Sequence, residues 1–213
     1  MSADASPFGV RRHRVAEAIR AAGGGVAIVP TAPEQRRNGD NDHPYRHGSD
    51  FHYLTGFAEP GAWLIVAADG RSTLVCRPKD VERELWDGIR LGPDAAPAAL
   101  GIDAAVAIEA LDETMVASLA DQPAVWWNFD APRLGERIAG WLERIRSHIR
   151  AGADAPTVQR DLAPLLAEMR LHKDAGEVDT MRRAATISAA AHARAMRFCA
   201  RRFRADPAAT IGG

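Results

Sequence analysis

The chain has 213 residues, 46% of them hydrophobic and 26% charged, with a formal net charge of −1. That length suits one ordinary domain with a small appendage, and that apolar share can fill a core. The balanced charge leaves no basic footprint for nucleic acid or an anionic membrane surface, and no apolar run approaches the roughly 18 residues of a membrane helix.

Residues 8–22 predict a helix with Phe8, Val15 and Ile19 on one face and Arg11, Arg12 and Arg14 mostly off it; Gly23, Gly24 and Gly25 end it. VAIVP (26–30) is a short continuous apolar run, as expected of a strand buried on both faces. The polar stretch that follows, through Asp50, has turn chemistry at Asn38-Gly39 and His43-Pro44 and no period, which predicts a long loop. Phe51–Leu54 and Ala62–Ala67 read as strands, and Asp69-Gly70 turns the chain back into a third, STLVC (72–76). A short helix or turn over VERELWDG and a small helical piece between Pro93 and Gly101 come next. AVAI (105–108) and AVWWN (124–128) are further strands, with helices around 111–120 and 132–148. Alternating helices and strands of this kind predict an α/β layered domain.

From residue 150 the character changes. RAGADAPTVQR reads as a linker or extended stretch, and DLAPLLAEMRLHK as a helix opened by Asp161. Asp174 to about Arg201 predicts a long amphipathic helix, started by the pair Asp174 and Glu177, with Val178, Met181, Ala185, Ile187, Ala191, Ala195 and Phe198 near the 3.6 period. The remaining tail has little apolar content and is expected to be mobile.

The residues assemble no complete active site. His43, His47 and His52 are good metal ligands by type, but Pro44 keeps a regular helix from setting their spacing, and loop histidines are more often solvated or bonded to backbone. Cys76 and Cys199 lie far apart with no CxxC pairing, which suits a reducing compartment; Cys76 reads as a structural thiol. Gly48-Ser49 lacks the frame of a strained nucleophile turn, and the glycine runs form neither a Walker A loop nor a dinucleotide fingerprint. Trp126 and Trp127 read as core, whereas Trp86, in a polar context beside Gly88, suits either a pocket wall or a cap over the core. The N-terminus carries no apolar secretory region, and a cytoplasmic protein is expected.

Three collinear blocks carry a resemblance. YRHGSDFHYLTGFAEP (45–60) resembles the YRxxSDFxYLTGFxEP signature of aminopeptidase P N-terminal domains. ELWDGIRLG (84–92) resembles that family's E-[IL]-W-x-G-x-R-x-G segment. MRLHKDAGE (169–177) resembles the segment that opens the catalytic domain, with His192–Met196 matching its first helix. The resemblance implies a mixed β-sheet flanked by helices, as in the creatinase and prolidase group with its ribonuclease H-like N-terminal domain, followed by one or two helices of a "pita-bread" catalytic domain. It divides the chain into residues 1–160, residues 161–199 and a divergent tail, residues 200–213.

The resemblance also implies a function. The intact family enzyme is a Xaa-Pro aminopeptidase in which two manganese ions, held by two aspartates, one histidine and two glutamates of the catalytic domain, activate a hydroxide. Those ligands match positions beyond Cys199, so this chain is expected to carry no catalytic or metal-binding residue and to be inactive alone. After Cys199 the sequence departs from the family pattern, as a changed reading frame or a truncated gene would. The N-terminal domain of the family serves tetramer assembly and lends residues to the active site. By motif match Asp40 and Trp86 face the substrate, and Arg150 is a third transfer; a carboxylate suits a free amino terminus and an indole face suits a proline ring. Proline-containing peptides are thus partners of the intact enzyme only. The alternative is a non-enzymatic interaction module, which self-associates through the 174–199 helix because its apolar stripe lacks a domain to cover it.

Overall fold

A computed structural model of the chain describes residues 6–147 and 152–205. The chain divides into two compact units, Met1–Ala167 and Glu168–Gly213.

In the first unit, helix α1 (Pro7–Ala21) opens with the Ser6 hydroxyl accepting from the Gly9 N–H at 3.1 Å and with proline at its first position, where no backbone donor is lost. Strand β1 (Val26–Pro30) leads to α2 (Ser49–Thr55), then to the hairpin of β2 (Trp63–Ala67) and β3 (Ser72–Cys76). After α3 (Val81–Asp87) and α4 (Gly92–Leu100) come β4 (Ala104–Ala107), α5 (Leu111–Leu119), β5 (Ala124–Trp127), α6 (Pro132–Ser147) and β6 (Val158–Asp161).

The six strands form one mixed sheet in the order β4-β3-β2-β1-β5-β6. β2 is antiparallel to both of its neighbours, and the remaining pairs are parallel, so β2 alone runs against the rest. Side chains alternate between faces along a strand. Val26, Ile28, Ile65, Val75, Val125 and Trp127 share a core with Met115 of α5 and with Leu134, Ile138 and Trp141 of α6. The alternate positions Ala27, Val29, Leu64, Val66 and Leu74 are buried as well, and they serve the opposite face, where α1 and α2 pack on each other and on β1 and β2. The sheet is therefore covered on both sides, as its parallel pairs require. Gly25, at φ +116°, lets β1 start close beside β5; a Cβ there would collide with the main-chain oxygen of Ala124.

Phe51–Leu54 is not the expected strand but the body of α2. A four-residue apolar run does not reveal its period, and tertiary contacts decide it. Gly56 ends the helix in the left-handed conformation, and the Thr55 hydroxyl donates back to the Phe51 oxygen at 2.8 Å. Arg11 and Arg12, expected off the apolar face of α1, are 8% and 3% exposed. Arg11 donates to the Tyr53 oxygen at 3.0 Å; Arg12 donates to the Leu54 oxygen at 2.9 Å, and to the Leu100 and Gly101 oxygens at 3.2 and 2.6 Å. Buried cations thus satisfy the free carbonyls at the ends of α2 and α4 and complement their dipoles. The stretch expected to be a linker or extended carries β6 at the edge of the sheet.

Helix α7 (Ala163–Leu171) begins where Asp161 accepts from the Ala163 N–H at 3.0 Å, as the sequence leads one to expect. In the second unit, α8 (Ala175–Ala205) starts with a reciprocal capping box: Asp174 N–H donates to Glu177 at 3.0 Å, and Glu177 N–H to Asp174 at 2.9 Å. The helix continues to Ala205, four residues past the expected end; residues 206–213 of the tail lie outside the described residues. Met181, Ile187, Met196 and Phe198 are all exposed on it.

Candidate functional site

The loop between β1 and α2 is more ordered than its composition suggests. Arg36 and Asp42 pair as an antiparallel bridge and as an ion pair at 2.7 Å, and the His43 N–H donates to the Gln35 oxygen at 2.9 Å. Asn38 accepts from the Asp40 and Asn41 N–H groups at 3.3 and 3.0 Å, an Asx turn at the tip. Asp40 is exposed in this projection. At the base, the Tyr45 hydroxyl lies 2.8 Å from the Thr31 hydroxyl and donates to the Ala32 oxygen at 3.1 Å, while Thr31 accepts from the Gly48 N–H at 3.2 Å. Burial raises the Tyr45 pKa, against the opposing hydrogen bond from Thr31.

Trp86 lies on α3 and is 89% exposed, beside exposed Val81, Leu85 and Ile89. A cap over the core is thereby excluded for Trp86. The segment that carries it is closed on itself where Glu84 accepts from the Arg90 N–H at 3.2 Å, and is tied to the body of the domain where Glu59 accepts from the Leu91 N–H at 2.8 Å. Arg150 lies outside the described residues.

His47 and His52 stack with centroids 4.0 Å apart and planes 11° from parallel. Lone pairs in two stacked rings run side by side and do not converge on one ion. Burial lowers the His52 pKa, with further contributions from His47 and Arg11. Among the described residues no group of three or more His, Cys, Asp and Glu side chains is disposed to hold a metal ion. Cys76 is buried and its thiol is pushed up to about 11, chiefly by burial and then by Glu59. Trp126 and Trp127 are both buried, on opposite faces; the Trp126 indole donates to the Gly24 oxygen at 3.3 Å, and that of Trp127 to Gln159 at 3.0 Å.

A cavity of about 900 Å³ opens beyond the carboxyl ends of β1 and β5. Ile28 to Glu34, the start of α2, Trp63, Asn128 and the first turns of α6 line it, with Leu162 and Leu166 behind. Neither Asp40 nor Trp86 is among its walls. Arg77 pairs with Glu34 at one side. Arg137 is held at 3.0 Å by Asp112 and lies 4.8 Å from the Trp63 ring centroid. Asp112 also accepts from the Trp141 indole at 2.8 Å, and that bond above all holds its carboxyl below the ordinary range. The buried Oδ1 of Asn128 has no hydrogen-bond partner. These residues escaped sequence reading; their one signal was position, just past a strand end.

Residues 8–126 match the family described as aminopeptidase P, N-terminal domain. This chain belongs to that aminopeptidase P N-terminal domain family. Over 197 residues it is 37% identical to the Xaa-Pro aminopeptidase of Escherichia coli, covering 90% of this chain and 44% of the relative. It is 24% identical to human Xaa-Pro aminopeptidase 3, over 86% of this chain and 38% of that protein. Among solved structures, the Pseudomonas aeruginosa aminopeptidase PepP superposes with a TM-score of 0.82 at 41% identity, over 88% of this chain and 43% of its own. The low-pH form of the E. coli aminopeptidase P gives 0.84 at 36% identity, over 92% and 45%. A zinc-substituted form of the E. coli protein in complex with product gives 0.82 at 35% identity, over 92% and 45%. The chain spans less than half the length of these relatives and corresponds to their N-terminal part. In this aminopeptidase P N-terminal domain, the first two motif blocks meet where Glu59 accepts from Leu91.

Proposed function

We propose that this chain serves as the assembly and substrate-access domain of a Xaa-Pro aminopeptidase. The intact enzyme would remove an N-terminal residue that precedes proline, with two manganese ions held by residues outside the chain, in the cytoplasm. The observation that carries the reading is the match to Xaa-Pro aminopeptidases over nearly the whole of this chain but under half of theirs. In it, Asp40 offers a carboxylate to the substrate's amino terminus, Trp86 an indole face to its proline ring, and Arg150 a third contact. The exposure of Asp40 and Trp86 supports this role, since both side chains are free to meet a group outside the domain. Alone, the chain has no peptidase activity, because hydrolysis of this kind needs the two-metal site.

A second reading rests on α8. Met181, Ile187, Met196 and Phe198 are exposed on one long helix, and apolar surface of that kind is normally covered. The chain then self-associates through residues 174–199, with or without an enzymatic role.

The test joins this chain to a catalytic domain. A chimera is made in which residues 1–173 replace the matching part of the E. coli relative, and release of the first residue from a Xaa-Pro peptide is followed with added manganese. The chimera should turn over while the 213-residue chain does not, and Trp86→Ala or Asp40→Ala should lower its kcat/KM about tenfold or more. Turnover by the chain alone would sink the accessory role; a chimera indifferent to both substitutions would sink the substrate-facing one. Light scattering at tens of micromolar tests the second reading, which a monomer would overturn.

A further inference from the structure

Strands β1 and β5 are parallel neighbours, with Val26 beside Val125 and Ala27 beside Trp126. The chain leaves them toward opposite faces of the sheet. From β1 it runs to α2, whose buried Phe51 and Leu54 lie on the α1 side. From β5 it runs to α6, whose Leu134, Ile138 and Trp141 fill the core on the other side. Where connections part in this way, none crosses the gap between the two strand ends, and a crevice opens there that open α/β sheets use for ligands. The cavity of about 900 Å³ occupies that position.

Its size lies within the range of small-molecule pockets. Phe51, Leu134, Leu162 and Leu166 give it apolar walls. Its ionic lining is unequal: Arg77, Arg133 and Arg137 against Glu34 and Asp50. Arg77 is matched by Glu34, and Arg137 is fixed by Asp112 and the rings of Trp63 and Trp141. Arg133, at the start of α6, is left as the cation available to a ligand.

We propose that this crevice binds a small organic acid with an apolar body. Arg133 takes the carboxylate, and Phe51, Leu134, Leu162 and Leu166 enclose the remainder. No covalent step is involved, and the site is independent of the peptidase reading because neither Asp40 nor Trp86 is among its walls.

Benzoylglycine has the required parts: a carboxylate and a phenyl ring. Its methyl ester lacks the charge. Titration of the ¹⁵N-labelled chain should give saturable shifts around Thr31, Asn128 and Leu134, with Kd about 1 mM for a ligand of this size. The ester should bind about tenfold more weakly, and Arg133→Gln should cost benzoylglycine about the same factor. Arg133 is exposed, so Arg133→Gln should fold as the parent does, which circular dichroism checks. Shifts that fail to saturate, an ester that binds as well as the acid, or indifference to Arg133→Gln would each overturn the proposal.

Discussion

Glu59 accepts a hydrogen bond from the main-chain N–H of Leu91 at 2.8 Å, across 32 residues of sequence. Glu59 closes the first motif block and Leu91 lies in the second, so this contact sets the segment bearing Trp86 against the body of the domain. The α3 segment is otherwise strongly exposed, and hydrogen bonds such as this one hold its end. Glu59→Ala is expected to lower stability by about 1–2 kcal/mol and to open residues 81–92 to proteolysis, while Glu59→Gln keeps the accepting oxygen and much of the stability. Denaturant unfolding and limited proteolysis check both; an unchanged cleavage pattern in Glu59→Ala would count against the tether.

Arg12 joins the ends of two helices through one guanidinium. Its removal leaves the Leu54 and Gly101 carbonyls without a charged donor in a buried place. Arg12→Met is expected to cost about 3 kcal/mol in urea unfolding. Arg12→Lys keeps the charge but not the fork of donors, and should fall between the two. Equal stability of all three proteins would remove the clamp from the account.

The two cysteines should differ in reactivity. At pH 8 a thiol pushed up to about 11 is only about 0.1% thiolate, and Cys76 is also buried. Cys199 is exposed. A thiol reagent should label one site on the folded chain and both in denaturant. Rapid labelling of Cys76 in the native protein would contradict its burial.

His52 makes the stability depend on pH. Its pKa is lowered in the fold by burial, His47 and Arg11, so the unfolded chain takes up a proton first as pH falls. The contribution is present above about 6.5, the ordinary value, and is lost as pH drops through the lowered folded value. The urea midpoint should decline as pH falls below about 6.5 and level off under the lowered folded value, and His52→Gln should flatten the decline. The same slope in both proteins would assign it to other groups.

Much of this domain is legible from local pattern. The apolar runs at 26–30, 72–76 and 124–127 are buried strands because a strand in the middle of a sheet covered on both faces has no polar side to show. The pairing of Asp174 with Glu177 was readable because a capping box is closed within four residues. The motif blocks marked the family for the same reason: each is contiguous. Tertiary structure alone decided the rest. Phe51–Leu54 is helical, and the carbonyls of Tyr53 and Leu54 at its end are bound by Arg11 and Arg12, which sit some 40 residues earlier. Those two arginines looked solvent-facing because a helix wheel registers charge but not a distant carbonyl in need of a donor. The crevice beyond β1 and β5 joins residues from Ile28 to Leu166, and it exists because two neighbouring strands send the chain to opposite faces of the sheet. That is a property of topology, which no local stretch of sequence contains.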